Sequence, residues 1–160
     1  MPTILRRLAV LFAIAGCLSA CLVAALIVVS IAGRSLMSAP IQGDVELTQF
    51  GIALAIALCL PWAQLHGSNI IVDFFTQSAG ERTLRRLDAL GSLLLALMTG
   101  VLAWRTAVGA ISVHDAFETT MILDLPMWIT YAVLAPGLAL TALIALVQAK
   151  LHLAGERAAA

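Results

Sequence analysis

Hydrophobic residues fall in four long runs along the chain, and most polar and charged residues lie between them. The runs cover about residues 8–32, 47–65, 90–110 and 125–149. A helix rises about 1.5 Å per residue, so about 20 apolar residues cross the roughly 30 Å hydrocarbon core of a bilayer. Each run is long enough for one crossing. The pattern therefore predicts an all-α membrane protein with four transmembrane helices in a single domain covering residues 1–160.

Composition excludes the ordinary soluble classes. Hydrophobic residues make up 62% of the chain and charged residues 11%, whereas soluble domains have about 45–50% and about 25%. The four runs hold 90 of the 160 residues, so the tails and loops are too short for a separate soluble domain of usual size. The first run also extends beyond the roughly 7–15 apolar residues of a signal peptide, which favours a retained span.

The distribution of charge predicts the orientation, although the net charge is zero. With four spans, both termini and the segment between the second and third runs lie on one side of the membrane. That side holds seven of the nine cations, while the other side is mostly acidic. Because basic residues are retained in the cytoplasm, both termini are predicted to be cytoplasmic. The seven cations are Arg6, Arg7, Arg82, Arg85, Arg86, Lys150 and Arg157.

The segment between the second and third runs has the pattern of an amphipathic helix over about residues 68–80. Either Ser68 or Asn69 is suited to cap it. Its apolar residues recur at helical spacing, and Asp73 falls on the opposite face with Thr76 and Gln77. This pattern is typical of a helix lying in the membrane interface, here on the cytoplasmic side, with Asp73 as a candidate for fixing its orientation. The apolar residues are Ile70, Ile71, Phe74 and Phe75.

Three charged residues near the outer ends of the spans are candidates for subunit contacts or positioning. Asp44 is suited to cap the second span, and Glu46 lies in its first turn, where the helix dipole favours an anion. Arg105 lies about six residues inside the third span, within snorkelling distance of the outer headgroups. The alternatives for Arg105 are a pair with an acid of the next loop, such as Glu118, or a pair with a partner protein.

The start of the fourth span combines helix-capping and interface residues. Asp124 is expected to cap the helix and Pro126 to occupy its first turn. Trp128 and Tyr131 are expected to anchor the span at the outer interface. Further along, Pro136 and Gly137 make a kink plausible. Small residues in one register in the first span (Gly16, Ala20 and Ala24) and in the fourth (Gly137, Thr141, Ala145 and Ala149) predict close helix packing, either within the subunit or against another one.

Residues for catalysis, cofactor binding or metal binding do not assemble in this sequence. The histidines His66, His114 and His152 lie at or beyond the ends of the spans, and no C-x-x-C pair occurs. No Asp, Glu, Lys or His lies at the centre of a span, where pumps and carriers usually keep ionisable groups. We therefore predict a membrane scaffold or accessory subunit that is not an enzyme. A redox or quinone-associated anchor subunit is the alternative, and a small drug exporter would need an acid in the first span.

An ordered set of motifs resembles the small membrane subunit, of the DctQ type, of tripartite ATP-independent periplasmic (TRAP) transporters. Glu46 opens the second span, and Glu118 precedes Leu-Pro-x-Trp-x-x-Tyr at residues 125–131. Residues 67–73 are similar to the family's Gly-x-His-Ile-x-Val-Asp signature, with Asn69 in place of the usual histidine. The resemblance also includes Arg-Arg-Leu-Asp at 85–88 and Pro-Gly at 136–137, so that it covers essentially the whole chain.

The resemblance implies partners and a transport role. The small subunit of such systems is a scaffold for a larger multi-span permease, which carries the substrate and sodium sites, and a periplasmic substrate-binding protein delivers the substrate. The substrates would be organic anions, commonly carboxylates. The expected location is the bacterial inner membrane, with no cofactor and no nucleic acid.

Overall fold

Four α-helices account for nearly all of the described residues. The structure is a computed structural model that describes residues 3–37, 41–66 and 81–154. Within those ranges no strand occurs, and each helix is long and apolar enough to cross a membrane. The prediction of an all-α protein with four such helices is therefore confirmed. The helices are α1 (Thr3–Met37), α2 (Asp44–Leu65), α3 (Glu81–Asp115) and α4 (Trp128–Ala154).

Some predictions made from the sequence concern residues outside the described ranges. The predicted interfacial helix, at about 68–80, falls between α2 and α3 in the segment that the structure does not describe. Asn69 and Asp73 belong to that segment. Their proposed roles therefore stay predictions.

The helices pack as a row in the order α1, α2, α4, α3. The helix α2 contacts α1 on one side and α4 on the other, and α3 packs against α4. Among the described residues, α3 makes no contact with α1 or α2. Consecutive helices cross the row in opposite directions. The second and fourth helices, α2 and α4, therefore run parallel to each other. We call the end that holds residues 41–43 and 116–127 the loop end, and the opposite end the terminal end.

The contact between α1 and α2 depends on two glycines. A Cβ built on Gly16 would lie 3.1 Å from the carbonyl oxygen of Ala55 on α2. A Cβ on Gly51 would lie 2.1 Å from a methyl of Val23 on α1. Ser19 adds a hydrogen bond across the contact by donating to the carbonyl oxygen of Gly51 at 2.9 Å. Close approach of this kind drives helix association in lipid, where the hydrophobic effect between helices is absent.

Only part of the predicted small-residue row on α1 packs within this chain, and packing of the rest against another subunit stays a prediction. Gly16 is buried against α2, but Ala20 and Ala24 are exposed. The face of α1 that contacts α2 continues instead through Ser19 and Val23 to Ser30. The difference arises because each step of four residues advances about 40° around the helix, so that the row from Gly16 through Ala20 to Ala24 leaves the face that packs on α2.

The contact between α2 and α4 confirms the small-residue row on α4. Gly137, Thr141, Ala145 and Ala149 are all buried. The hydroxyl of Thr141 donates to the carbonyl oxygen of Gly137 at 2.8 Å, which satisfies the polar group within its own helix. Pro136 lies inside α4, which continues as a helix on both sides of it.

Large side chains fill the terminal end of the row. Ile144 is fully buried there together with Ala9, Leu65 and Leu140. These residues come from α1, α2 and α4, so that the cluster joins three helices. Leu5, Phe12 and Trp62 pack around it.

Two predicted helix caps are wrong. The helix α4 begins at Trp128 rather than after Asp124, because Pro126 forms an antiparallel bridge with Thr119. Asp124 has a positive φ of 52° and belongs to the turn before it. At the start of α2, the N-cap residue is Gly43, which has no side chain to cap with, and Asp44 is the first helical residue.

Candidate functional site

The loop between α3 and α4 is a short hairpin that folds onto the start of α2. The N–H of Thr120 donates to the carbonyl oxygen of Leu125 at 2.9 Å, and the N–H of Met127 donates to that of Glu118 at 3.1 Å. The buried hydroxyl of Thr120 accepts a further bond from the N–H of Leu125 at 3.1 Å. These bonds define a fixed turn over residues 121–124.

Glu46 fastens this turn to α2. One oxygen of its carboxylate accepts the N–H of Ile122 at 2.9 Å, and the other accepts the N–H of Leu123 at 3.1 Å. Hydrogen bonds to a charged acceptor are stronger than neutral ones. The sequence interpretation of Glu46 as an anion placed at a helix N-terminus is therefore incomplete, since its carboxylate also joins two separate parts of the chain.

Gly43 provides the second contact between the turn and α2. Its φ is +73°, a left-handed conformation that favours glycine. The side chain of Leu123 packs directly over it, so that a Cβ at Gly43 would lie 2.4 Å from Cγ of Leu123. The turn is thus held by a carboxylate on one side and by an apolar contact on the other.

Asp44 connects α2 to α1 at the same end. Its Oδ2 atom accepts a hydrogen bond from the hydroxyl of Ser30 at 2.5 Å and lies 3.5 Å from Nη2 of Arg34. Ser30 is buried, whereas the side chain of Arg34 is 65% exposed. The hydroxyl contact is therefore the more shielded of the two. Neighbouring carboxylates of one helix turn, Asp44 and Glu46, thus hold the two segments that flank it.

A buried pair of amides performs the corresponding role at the terminal end. Nε2 of Gln64 donates to Oε1 of Gln148 at 2.6 Å, and Nε2 of Gln148 donates to the main-chain oxygen of Gln64 at 2.8 Å. A weaker approach joins the same nitrogen to the carbonyl oxygen of Leu65 at 3.4 Å. Gln148 thus donates to main-chain carbonyls in the last turn of α2 and joins that turn to α4.

Sequence reasoning missed the Gln64–Gln148 pair. The sequence does contain a sign of it, because each glutamine lies near the C-terminal end of a hydrophobic run. The pairing also requires knowing that α2 and α4 are neighbours, which the sequence does not state. The pair is more deeply buried than any of the predicted candidate residues that the structure describes, except Gly137.

Arg105 projects from the side of α3 that faces away from α4. The residues of α3 turned toward α4, such as Ala96 and Gly100, recur at helical spacing, and Arg105 lies nearly opposite to them. Its neighbours on the free face, Met98 and Val101, are exposed and apolar. Within the described ranges no acid forms an ion pair with Arg105, so the pair with Glu118 considered from the sequence is not formed.

The remaining predicted residues take part in contacts near the loop end. The side chain of Glu118 is exposed, and its main chain helps to close the hairpin. The ring of Trp128 meets that of His114 edge to face, with centroids 5.5 Å apart. Tyr131 packs its ring over Gly109 of α3. Trp128 and Tyr131 therefore help to join α3 to α4, in addition to their predicted place at the interface.

The arrangement described here is suited to holding helices and a loop in fixed positions. Within the described part of the chain, no three His, Cys, Asp or Glu side chains converge as metal ligands would. The polar contacts occur at the two ends of the row and between neighbouring helices. What the geometry provides is a rigid membrane body with an ordered hairpin at one end.

A comparison with known protein families also indicates a membrane component. No curated protein and no solved structure matches the chain significantly. A protein family does match, described as tripartite ATP-independent periplasmic transporters, DctQ component, over residues 23–155. This stretch includes the second part of α1, residues 23–37, together with all of the other three helices and the hairpin. The chain therefore belongs to the DctQ family, and it is a small membrane component of a TRAP transporter.

Proposed function

We propose that this chain is the scaffold subunit that supports a larger multi-span permease in uptake of organic anions, in particular carboxylates. The uptake would be coupled to sodium and would depend on a periplasmic substrate-binding protein. The observation that carries the scaffold role is the placement of polar contacts. They join the helices to one another at both ends of the row, while the middle of the spans holds no Asp, Glu, Lys or His to bind an ion or a substrate.

The row of helices supports this proposal because it leaves long faces for a partner. The outer helices of the row, α1 and α3, each contact a single main neighbour. Their other faces expose large apolar side chains along the length of the helix. In a bilayer such faces contact either lipid or another membrane protein. A row presents more of this surface than a closed four-helix bundle of the same size would.

The orientation and location follow from charge. The basic residues concentrate on the side of the termini, so the terminal end is proposed to face the cytoplasm and the loop end the periplasm of a bacterial inner membrane. In this orientation Asn69 and Asp73 position a cytoplasmic-side arm. Glu46, Glu118, Pro126, Trp128 and Tyr131 lie near the outer surface, and Arg105 lies within the outer half of α3.

Co-expression tests the proposal. Genes for a large permease and a secreted binding protein are expected beside the gene of this chain, and their products provide the partners. The chain and the permease should co-purify, and together in liposomes they should take up a carboxylate only with the binding protein and a sodium gradient. Sodium-dependent uptake by this chain alone would contradict the scaffold role. A visible absorption spectrum of the purified chain would instead support the redox alternative.

A further inference from the structure

We propose that the hairpin presents an apolar docking tip, formed by Phe117, Met121 and Ile122, to the soluble binding protein on the outer side of the membrane. This inference rests on the proposed function, because it assigns a surface to one of the partners named there. The occupant is a protein pocket with an apolar floor and a basic rim.

The first observation is the exposure of the tip. Met121 is 99% exposed, Phe117 is 86% exposed and Ile122 is 59% exposed. All three follow the end of α3 at Asp115 and precede the start of α4 at Trp128. They therefore lie outside the helical spans, where exposure of apolar side chains is not explained by contact with the hydrocarbon core. Exposed apolar patches of this kind mark interaction sites.

The second observation is that the tip is held in a fixed conformation. Ile122 and the adjacent Leu123 donate their N–H groups to the carboxylate of Glu46. Phe117 has a φ of 51°, a conformation that a bulky residue adopts only where its surroundings fix it. Its N–H donates to the carbonyl oxygen of His114 at 3.1 Å. A preformed loop loses less conformational entropy on binding, which raises affinity.

The third observation is the charge around the tip, which decides between lipid and protein. Asp115 and Glu118 lie on either side of Phe117 in the chain, and Asp124 is the last residue of the turn, with all three exposed. Carboxylates lose hydration when they enter the lipid interface, which costs free energy. A soluble partner with basic residues around an apolar pocket matches both parts of this surface.

The test uses the complex of this chain with the permease, reconstituted in liposomes with the loop end outward. The variants are Phe117→Ser, Met121→Ser and the double variant. Leu36→Ser is the matched control, because Leu36 is an exposed apolar residue (83%) near the same end of α1. Two quantities are measured: the binding-protein concentration that gives half-maximal uptake, and the amount of permease that co-purifies.

We expect the half-maximal concentration to rise roughly five- to thirtyfold in the double variant, as for loss of interface hot spots. The maximal rate and the co-purified permease should match the wild type and Leu36→Ser. Reversal of charge in Glu118→Arg should also raise the half-maximal concentration. An unchanged half-maximal concentration in the double variant overturns the inference. Loss of permease from the purified complex also overturns it, because the tip would then contact the permease.

A fluorescent probe distinguishes docking of the tip to the binding protein from insertion of the tip into lipid. In Met121→Trp, the indole should be little quenched by brominated lipids and should change its emission when the binding protein is added. Strong quenching by brominated lipid with no response to the binding protein contradicts the inference. If the wild-type complex itself shows no binding-protein-dependent uptake, the proposed function fails. If the wild type transports and the variants behave like it, only the docking tip fails.

Discussion

Gly137 on α4 lies directly against Ala57 on α2. A Cβ built on Gly137 would stand 2.4 Å from the carbonyl oxygen of Ala57 and 2.9 Å from its carbonyl carbon. The obstacle is main chain, which cannot move aside as a flexible side chain can. The separation of these two helices is therefore set by the absence of a single methyl group.

Gly137→Ala should separate α2 from α4 and lower the free energy of unfolding by about 1–3 kcal/mol, the usual cost of overpacking. Gly91→Ala is the matched control, because nothing lies within 4 Å of a Cβ at that position. Unfolding of the purified chain in mixed micelles measures both. Equal stability of the two variants would show that the helices do not meet at Gly137.

Gln148→Ala should remove both hydrogen bonds to Gln64 and cost about 1 kcal/mol, in the range measured for polar contacts between membrane helices. Lys150→Ala, at an exposed position two residues away, should cost nothing measurable. A double-mutant cycle with Gln64→Ala isolates the coupling of the two side chains. A coupling energy of zero would contradict the paired geometry.

Glu46→Ala should free the hairpin from α2. The amides of Ile122 and Leu123 lose their acceptor, so their hydrogen exchange should become at least about tenfold faster. Exchange at Thr120 should change less, because its N–H bonds within the hairpin to Leu125. Glu118→Ala serves as the control, since that side chain is exposed. Hydrogen exchange measured residue by residue tests this prediction. Equal rates in Glu46→Ala and the wild type would show that the Glu46 carboxylate does not hold these two amides.

Gly43→Ala should be destabilising for two separable reasons. The positive φ costs an L-residue roughly 1–2 kcal/mol, and the new Cβ collides with Leu123. The double variant Gly43→Ala with Leu123→Ala relieves the collision and leaves the backbone cost. The double variant should therefore lose less stability than the sum of the losses measured for the two single variants. Strict additivity would indicate that Leu123 does not pack over Gly43.

Arg105→Ala should leave the thermal stability of the isolated chain unchanged, because no described acid pairs with Arg105 within the subunit. Co-purification with the permease or uptake should fall by more than in Arg157→Ala, the control at the C-terminal tail. Pull-down yield at matched expression and the initial rate of uptake measure the effect. Equal and negligible effects in both variants would support simple snorkelling of Arg105 to the headgroups.

The sequence predicted what depends on local pattern. Four apolar runs are enough to predict four helices, since hydrocarbon selects length and hydrophobicity alone. The row from Gly137 to Ala149 predicted a packed face, and all four residues are buried on a helix that has neighbours on two sides. On α1, which has one main neighbour, the same rule chose Ala20 and Ala24, which no described helix of this chain covers.

The polar contacts of the site depend on which helices are neighbours, and this the local pattern does not encode. Glu46 has the spacing of a helix-dipole anion, and only the folded hairpin shows its second role. Asp124 and Pro126 have the sequence of a helix start, but pairing of Pro126 with Thr119 delays α4 until Trp128. Gln64 and Gln148 are 84 residues apart and meet only because α4 inserts beside α2.

The order of the row also has a consequence for how the chain is assembled during synthesis. The last helix, α4, lies between α2 and α3, and it is the only described neighbour of α3. A nascent chain that has completed α3 therefore holds a paired α1–α2 hairpin and a separate α3. The described residues of these two parts make no contact with each other. Integration of the final 27-residue helix joins the two parts. Truncation before Trp128 should thus leave the first hairpin intact and expose α3 to the quality-control proteases of the membrane.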